Sequence, residues 1–182
     1  VGHHPRPGTE LDLDRRSGAR RVNRVQPMMG HRGYGHAELS FDECSIPADS
    51  VLGEVGGGFA VAMDTLDLFR PSVGAFGVGM AQAALDAAIR YTAEREAFGK
   101  PLARFQAVGH QLADVATQIQ AARLLVTDAA SQYDAGVRPV RKASAMAKLF
   151  ATETAQRAVD VAIQVHGARA LEKGHLLEHL YR

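Results

Sequence analysis

The sequence predicts a mainly α-helical protein in which a four-helix bundle follows a short remnant of a β domain. Three observations carry this. From residue 56 onward, apolar residues recur three and four apart over long stretches, the period of one helical face. Alanine, the strongest helix former, is abundant in the same region. Between residues 24 and 53, short alternating segments are cut by glycines and prolines, the pattern of strands joined by turns. The expected divisions are a polar loop or tail over 1–22, the last strands of a β domain over 23–55, and the bundle over 56–182.

Taken in order, residues 1–22 carry Pro5, Pro7 and a run of arginines diluted by Glu10, Asp12 and Asp14, with no periodic apolar pattern. Such a stretch reads as solvated. Val25–Met29 and His36–Phe41 alternate and are separated by Gly30, Gly33 and Gly35, so they read as strands. Ser45–Ala48 is expected to be extended, because Pro47 pushes its predecessor out of the helical region. Two or three strands do not make a stable sheet by themselves, so further strands are expected outside this chain.

Val55-Gly56-Gly57-Gly58 precedes the first helix. Its backbone N–H groups suit a phosphate, but no Lys-Ser/Thr pair follows as in a P-loop, and a flexible link is the simpler reading. Phe59, Met63, Leu66 and Phe69 then share one helical face. Pro71 either opens a second helix or interrupts a single long one. Gly74, Gly77 and Gly79 each cost about 1 kcal/mol relative to Ala in a helix, which points to another backbone or a flat ligand coming close. Phe98-Gly99-Lys100-Pro101 is a stop signal.

A second helix is expected over Gln106–Asp134, with Val108, Leu112, Val115, Ile119, Ala122, Val126, Ala129 and Tyr133 inward. A third runs from Arg141 to about His166, with Ala147, Phe150, Ala151, Ala155, Ala158, Ala162 and Val165 inward. A fourth begins at His175, and the chain stops in it without a cap. That end, and a first residue that is Val rather than Met, suggest a piece of something longer.

Composition narrows the function. A formal net charge of +1 gives no case for nucleic acid. No apolar run approaches the roughly 18 residues of a membrane span. The single cysteine, Cys44, fits a reducing compartment, here taken as the cytoplasm.

Several clusters are candidates for chemistry. His175-Leu-Leu-Glu178-His179 has the order of an inverted zinc-peptidase motif. No third ligand follows it, and Leu176, Leu177 and Leu180 instead mark an amphipathic helix; no metal is expected. His110 and His166 read as satisfied helical side chains. Arg95-Glu-Ala-Phe98-Gly99-Lys100, followed by Arg104-Phe105-Gln106, would set an arginine, an aromatic ring and a glutamine along one edge. Such an edge suits a planar cofactor with phosphates. A plain helical corner, with Arg95 neutralising the end of its helix dipole, fits the same residues equally well.

Over about residues 23–182 the chain resembles the acyl-CoA dehydrogenase family. The resemblance lies in Gly35-His36-Ala-Glu-Leu-Ser-Phe41, Ile46-Pro47-Ala48, Leu52-Gly53-Glu54, Gly57-Gly58-Phe59 and Arg70-Pro71. It continues in Arg95 to Lys100, Phe105-Gln106 and Gln164-Val165-His166-Gly167. It implies a flavoprotein with an N-terminal helical domain, a middle β domain and a C-terminal four-helix bundle. Arg95, Phe98 and Gln106 would contact FAD, largely across a subunit interface. Gln164, Val165, His166, Gly167 and Ala168 would lie along the flavin of a neighbouring subunit, with Ala168 in place of the family's second glycine. Asp67 and Arg70 would line the acyl-CoA site.

The resemblance also implies α,β-dehydrogenation, with a carboxylate taking the α-proton while the β-hydride goes to the flavin. Most members carry that Glu just beyond the position of Arg182. A minority carry it at the position of Phe69, which cannot accept a proton. The chain is thus expected to lack its base and to be inactive alone. Homodimers or homotetramers and an electron-transfer flavoprotein or similar acceptor are implied as partners. Related acyl-CoA or nitroalkane oxidases, and a non-catalytic oligomerisation module, are the alternatives.

Overall fold

A computed structural model describes residues 20–30 and 35–182. The expected tail as far as residue 19, and the turn at Gly33, lie outside the described residues. The chain divides into two compact units, one running to Val55 and the other spanning Gly56–Tyr181.

In the first unit, β1 (Arg20–Gln26) pairs antiparallel with β2 (His36–Phe41), from Arg20 opposite Phe41 to Gln26 opposite His36. Arg20–Val22, assigned by sequence to the tail, therefore belong to a strand, and Met28 and Met29 lie beyond its end. The register is irregular between Val22 and Arg24, where Asn23 accepts a hydrogen bond from Ser40 Oγ at 3.0 Å. Arginines at 20, 21 and 24 hid this strand, since pairing satisfies backbone groups whatever the side chains. Pro47 is extended (φ −58°, ψ 145°) and leads into a 3-10 turn at Ala48–Ser50.

The second unit is built on α1 (Gly58–Glu94), 37 residues that run unbroken through Pro71. Proline has no N–H, so it leaves the carbonyl four residues earlier, that of Asp67, without its helical partner. Ser144 of α3 (Arg141–His166) supplies the donor: its Oγ lies 2.7 Å from the Asp67 carbonyl oxygen, fully buried. The glycines explain how α3 comes so near. A Cβ at Gly77 would stand 3.1 Å from the Ala151 carbonyl oxygen, and one at Gly74 would stand 2.9 Å from Val126 Cγ2 and 3.2 Å from the Ala147 carbonyl.

The core is correspondingly fine-grained. Ala81, Ala84 and Ala88 of α1 meet Ala151, Ala158 and Ala162 of α3. α2 (Gln106–Asp134) adds Val115, Ile119 and Ala122, and Leu177 of α4 (Leu176–Tyr181) closes one end. Leu177 is the largest fully buried side chain, and burying it contributes about 2 kcal/mol. α2 ends in a Schellman motif: Gly136 takes φ +77°, and Val137 N–H and Gly136 N–H donate to the carbonyls of Gln132 and Tyr133 at 3.0 Å each.

The bounds of the second and third helices match the sequence reading, and all eight expected inward positions of α2 are at least partly buried. Two faces differ. Phe59, Leu66 and Phe69 are exposed and continue into Val73 and Phe76 as an apolar strip, while Asp67, Pro71 and Gly74 are the buried residues of that stretch. Phe150, expected inward, is exposed as well. α1 is long and apolar enough, by length and composition, to cross a membrane, but its glycine–alanine face is buried against α3.

Candidate functional site

The sequence-predicted residues fall into three groups, and the fold sorts them to the two ends of α1. At the end of α1 the helix gives way to a two-residue hairpin, β3 (Glu96–Ala97) against β4 (Lys100–Pro101). Its tip, Phe98-Gly99, has φ +52° and +77°, the signs of a type I′ turn. A left-handed Phe costs about 1–2 kcal/mol, and this ring is 96% exposed. Backbone strain spent on an exposed aromatic is characteristic of contact sites.

Behind the tip, Phe105 packs edge-on to Phe98 at 6.4 Å between centroids, and Lys100 Nζ lies 4.2 Å above the Phe105 ring. Arg95 and Gln106 flank the hairpin, both exposed. Gln106 opens α2, whose N-terminus has no side-chain cap, so its first N–H groups face outward under the positive end of the helix dipole. Guanidinium, amide and helix N-terminus are all donors suited to an anionic diphosphate, with Phe98 as an apolar face.

The second group, Gln164–Ala168, sits at the same end. Tyr91, one turn before Arg95, stacks on His166 with centroids 4.2 Å apart and planes at 20°. The His166 imidazole is thus turned inward. Its Nδ1 lies 2.7 Å from the Ala162 carbonyl, and because a carbonyl only accepts, Nδ1 carries the proton. Burial lowers its pKa; the bond to Ala162 opposes this and nearby His175 adds to it. Gln164, Gly167 and Ala168 are exposed, and Gly167 (φ +63°, ψ −145°) turns the chain into the 3-10 segment Gly167–Leu171.

The third group lies far off, about 36 Å along the helix at about 1.5 Å per residue from Tyr91 to Asp67. The Asp67 side chain is buried; Oδ1 accepts from Arg70 Nη1 at 2.6 Å and Oδ2 from Arg141 Nε at 3.2 Å. The carboxylate also faces the N-terminal end of α3, where Arg141 is the first residue. Phe69, beside this cluster, is exposed.

Residues 56–182 match the family model for the acyl-CoA dehydrogenase C-terminal domain. The chain belongs to the acyl-CoA dehydrogenase family. It is 44% identical over 161 residues to the acryloyl-CoA reductase (NADH) of Anaerotignum propionicum, covering 88% of this chain and 41% of that protein. It is 38% identical over 170 residues to subunit CarC of the caffeyl-CoA reductase–Etf complex of Acetobacterium woodii, covering 93% and 45%. The butyryl-CoA dehydrogenase structure from Megasphaera elsdenii superposes with a TM-score of 0.86 at 36% identity, covering 93% of this chain and 44% of that one. The chain therefore spans less than half the length of these relatives.

Within this acyl-CoA dehydrogenase bundle the zinc-like motif has local uses. His175 Nδ1 accepts the Leu177 N–H at 3.1 Å and Glu178 accepts the Gly174 N–H at 3.3 Å, so both cap their own short helix. Among the described residues no three His, Cys, Asp or Glu side chains gather to hold a metal ion. Gly56 has φ +86° with open space around it, and the first residue of α1 is Gly58. Tyr91, Arg141 and Ser144 were missed from sequence. Pro71 was the available signal, since a proline inside a helix demands an outside donor for the carbonyl four residues back.

Proposed function

We propose that these 182 residues are the C-terminal part of an FAD-dependent acyl-CoA dehydrogenase that introduces the α,β double bond into an acyl-CoA thioester. One observation carries the reading beyond family membership: the strained, exposed Phe98 tip flanked by Arg95 and Gln106 at an uncapped helix start. Those residues would hold FAD, the guanidinium and the α2 N–H groups taking the diphosphate and Phe98 covering an apolar face. Gln164, Val165, Gly167 and Ala168 would lie along the cofactor by backbone and amide, while His166 supports the segment from inside. The flavin, when bound, supplies the hydride acceptor.

Asp67 and Arg70, with exposed Phe69 beside them, would form one wall for acyl-CoA. The distance between the two groups means that one copy of the bundle does not bring its hairpin end and its acyl-CoA wall to the same active site. A homodimer or homotetramer resolves this, each copy lending its hairpin end to a neighbour. Gly74, Gly77 and the buried alanines of α3 are consumed within the monomer, so association would use exposed Leu124, Met146, Leu149 and Phe150. The Etf complex named for one relative supports an electron-transfer flavoprotein as acceptor. The cytoplasmic location belongs to the same reading.

Abstraction of a thioester α-proton needs a carboxylate within hydrogen-bond reach. Phe69 cannot serve, and Asp67 is engaged by two arginines. The chain alone is therefore expected to show no dye-coupled acyl-CoA oxidation with added FAD, and the full-length flavoprotein is expected to show it. In that protein, Arg95→Ala and Gln106→Ala should lose flavin on gel filtration; full FAD stoichiometry in both would remove the cofactor assignment. Oxygen consumption in place of dye reduction would identify an oxidase.

A further inference from the structure

Two arginines share one buried carboxylate in the N-terminal third of α1, and they do so unequally. An arginine beside a carboxylate favours the two-bond, fork-to-fork arrangement. Arg70 instead makes a single bond, Nη1 to Oδ1 of Asp67 at 2.6 Å. The other oxygen, Oδ2, is taken by Arg141 Nε from α3 at 3.2 Å. The Asp67 main chain is held as well, its carbonyl accepting from Ser144 Oγ at 2.7 Å, one turn along α3 from Arg141. The Arg70 side chain is 30% exposed and stands among Leu66, Phe69 and Val73, an apolar strip open on its outer side. A guanidinium that commits one donor and keeps the rest of its fork beside an apolar strip suits a ligand with a hydrogen-bond acceptor next to an aliphatic chain.

We propose that Arg141 is a positioning residue for Arg70: by occupying Oδ2 it holds Arg70 to one bond and keeps the remaining donors turned to the acyl-CoA. This rests on the reading of Asp67 and Arg70 as a wall of the acyl-CoA site. Without Arg141, Arg70 closes onto both oxygens of Asp67 and its fork is withdrawn from the ligand. The ion pair itself then strengthens. A residue needed only for stability would have the opposite signature.

The test uses the full-length flavoprotein with butyryl-CoA and palmitoyl-CoA as probes and a dye acceptor. Arg141→Met should raise KM about tenfold for the better substrate, the scale of one charge-assisted hydrogen bond. The kcat should stay within about twofold, and Tm should be unchanged or higher. Arg141→Lys, which keeps a cationic donor for Oδ2, should restore most of the KM. A KM unchanged in Arg141→Met, or a KM rise accompanied by a fall in Tm that Lys does not rescue, overturns the proposal. Arg70→Met separates the two levels: if it leaves KM unchanged, the placement of the acyl-CoA site is wrong and the positioning role falls with it. If Arg70→Met raises KM and Arg141→Met does not, only the positioning role fails.

Discussion

In the ribbon of β1 and β2, side chains as large as Val25, Leu39 and Phe41 stay exposed, whereas in the bundle alanines such as Ala81, Ala84 and Ala162 are completely buried. The ribbon holds itself by one ladder of backbone hydrogen bonds, and every residue of its two strands except Ala37 is exposed. The bundle brings backbones so close that a glycine hydrogen on α1 faces a carbonyl oxygen on α3. Apolar content is therefore a poor guide to where this protein keeps its core. Stability follows close approach of backbones, which small residues permit, because dispersion contacts fade within a fraction of an ångström.

The largest expected consequence is in hydrogen exchange. Amides of Val25 and Leu39 should exchange at least about a thousandfold faster than those of Ala84 and Ala158, since a lone two-stranded ribbon is marginal while the bundle core opens only by unfolding. Exchange followed by mass spectrometry on the 182-residue chain reads this directly. Equal protection in the two would show that the ribbon has a packing partner.

Next comes the proline device. Ser144→Ala leaves the buried Asp67 carbonyl without a donor and should cost about 2 kcal/mol in urea unfolding. A loss below about 0.5 kcal/mol would mean that water or a shifted helix satisfies the carbonyl.

Acid should act on the bundle through His166. Its pKa is lowered in the folded state by burial, so the unfolded chain binds the proton first. The stability contribution is complete above the ordinary histidine range near 6.5 and is lost as pH falls below it, by at most about 1.4 kcal/mol per pH unit. Thermal melts between pH 7.5 and 5.5 should slope downward. His166→Phe, which keeps a ring against Tyr91, should flatten that part of the slope.

The smallest effects compare two nearby glycines of α1. Gly77→Ala places a methyl 3.1 Å from the Ala151 carbonyl oxygen, and overpacking should outweigh the gain in helix propensity for a net loss of about 1 kcal/mol. Gly79→Ala meets nothing within 4 Å and should stabilise by slightly less than 1 kcal/mol. Matching signs in chemical denaturation would mean that α1 and α3 stand farther apart than described.

By itself the sequence determined the second and third helices. The strict three-four spacing from Val108 to Tyr133 located α2, because periodicity is a local property of the chain. It also marked Arg95, Phe98 and Gln106 as an ordered set; Phe98 is at the tip of one hairpin, with Arg95 before it and Gln106 after it in the chain. Only the tertiary structure decided that Asp67 is buried while Phe69 is exposed, that His166 faces inward, and that Gly74 and Gly77 serve the monomer's own core. Each of those outcomes depends on what α3 places opposite α1: Arg141 and Ser144 at one end, alanine carbonyls in the middle, and the His166 ring at the other. Those partners lie tens of residues away, and the pattern on a single helix carries no information about them.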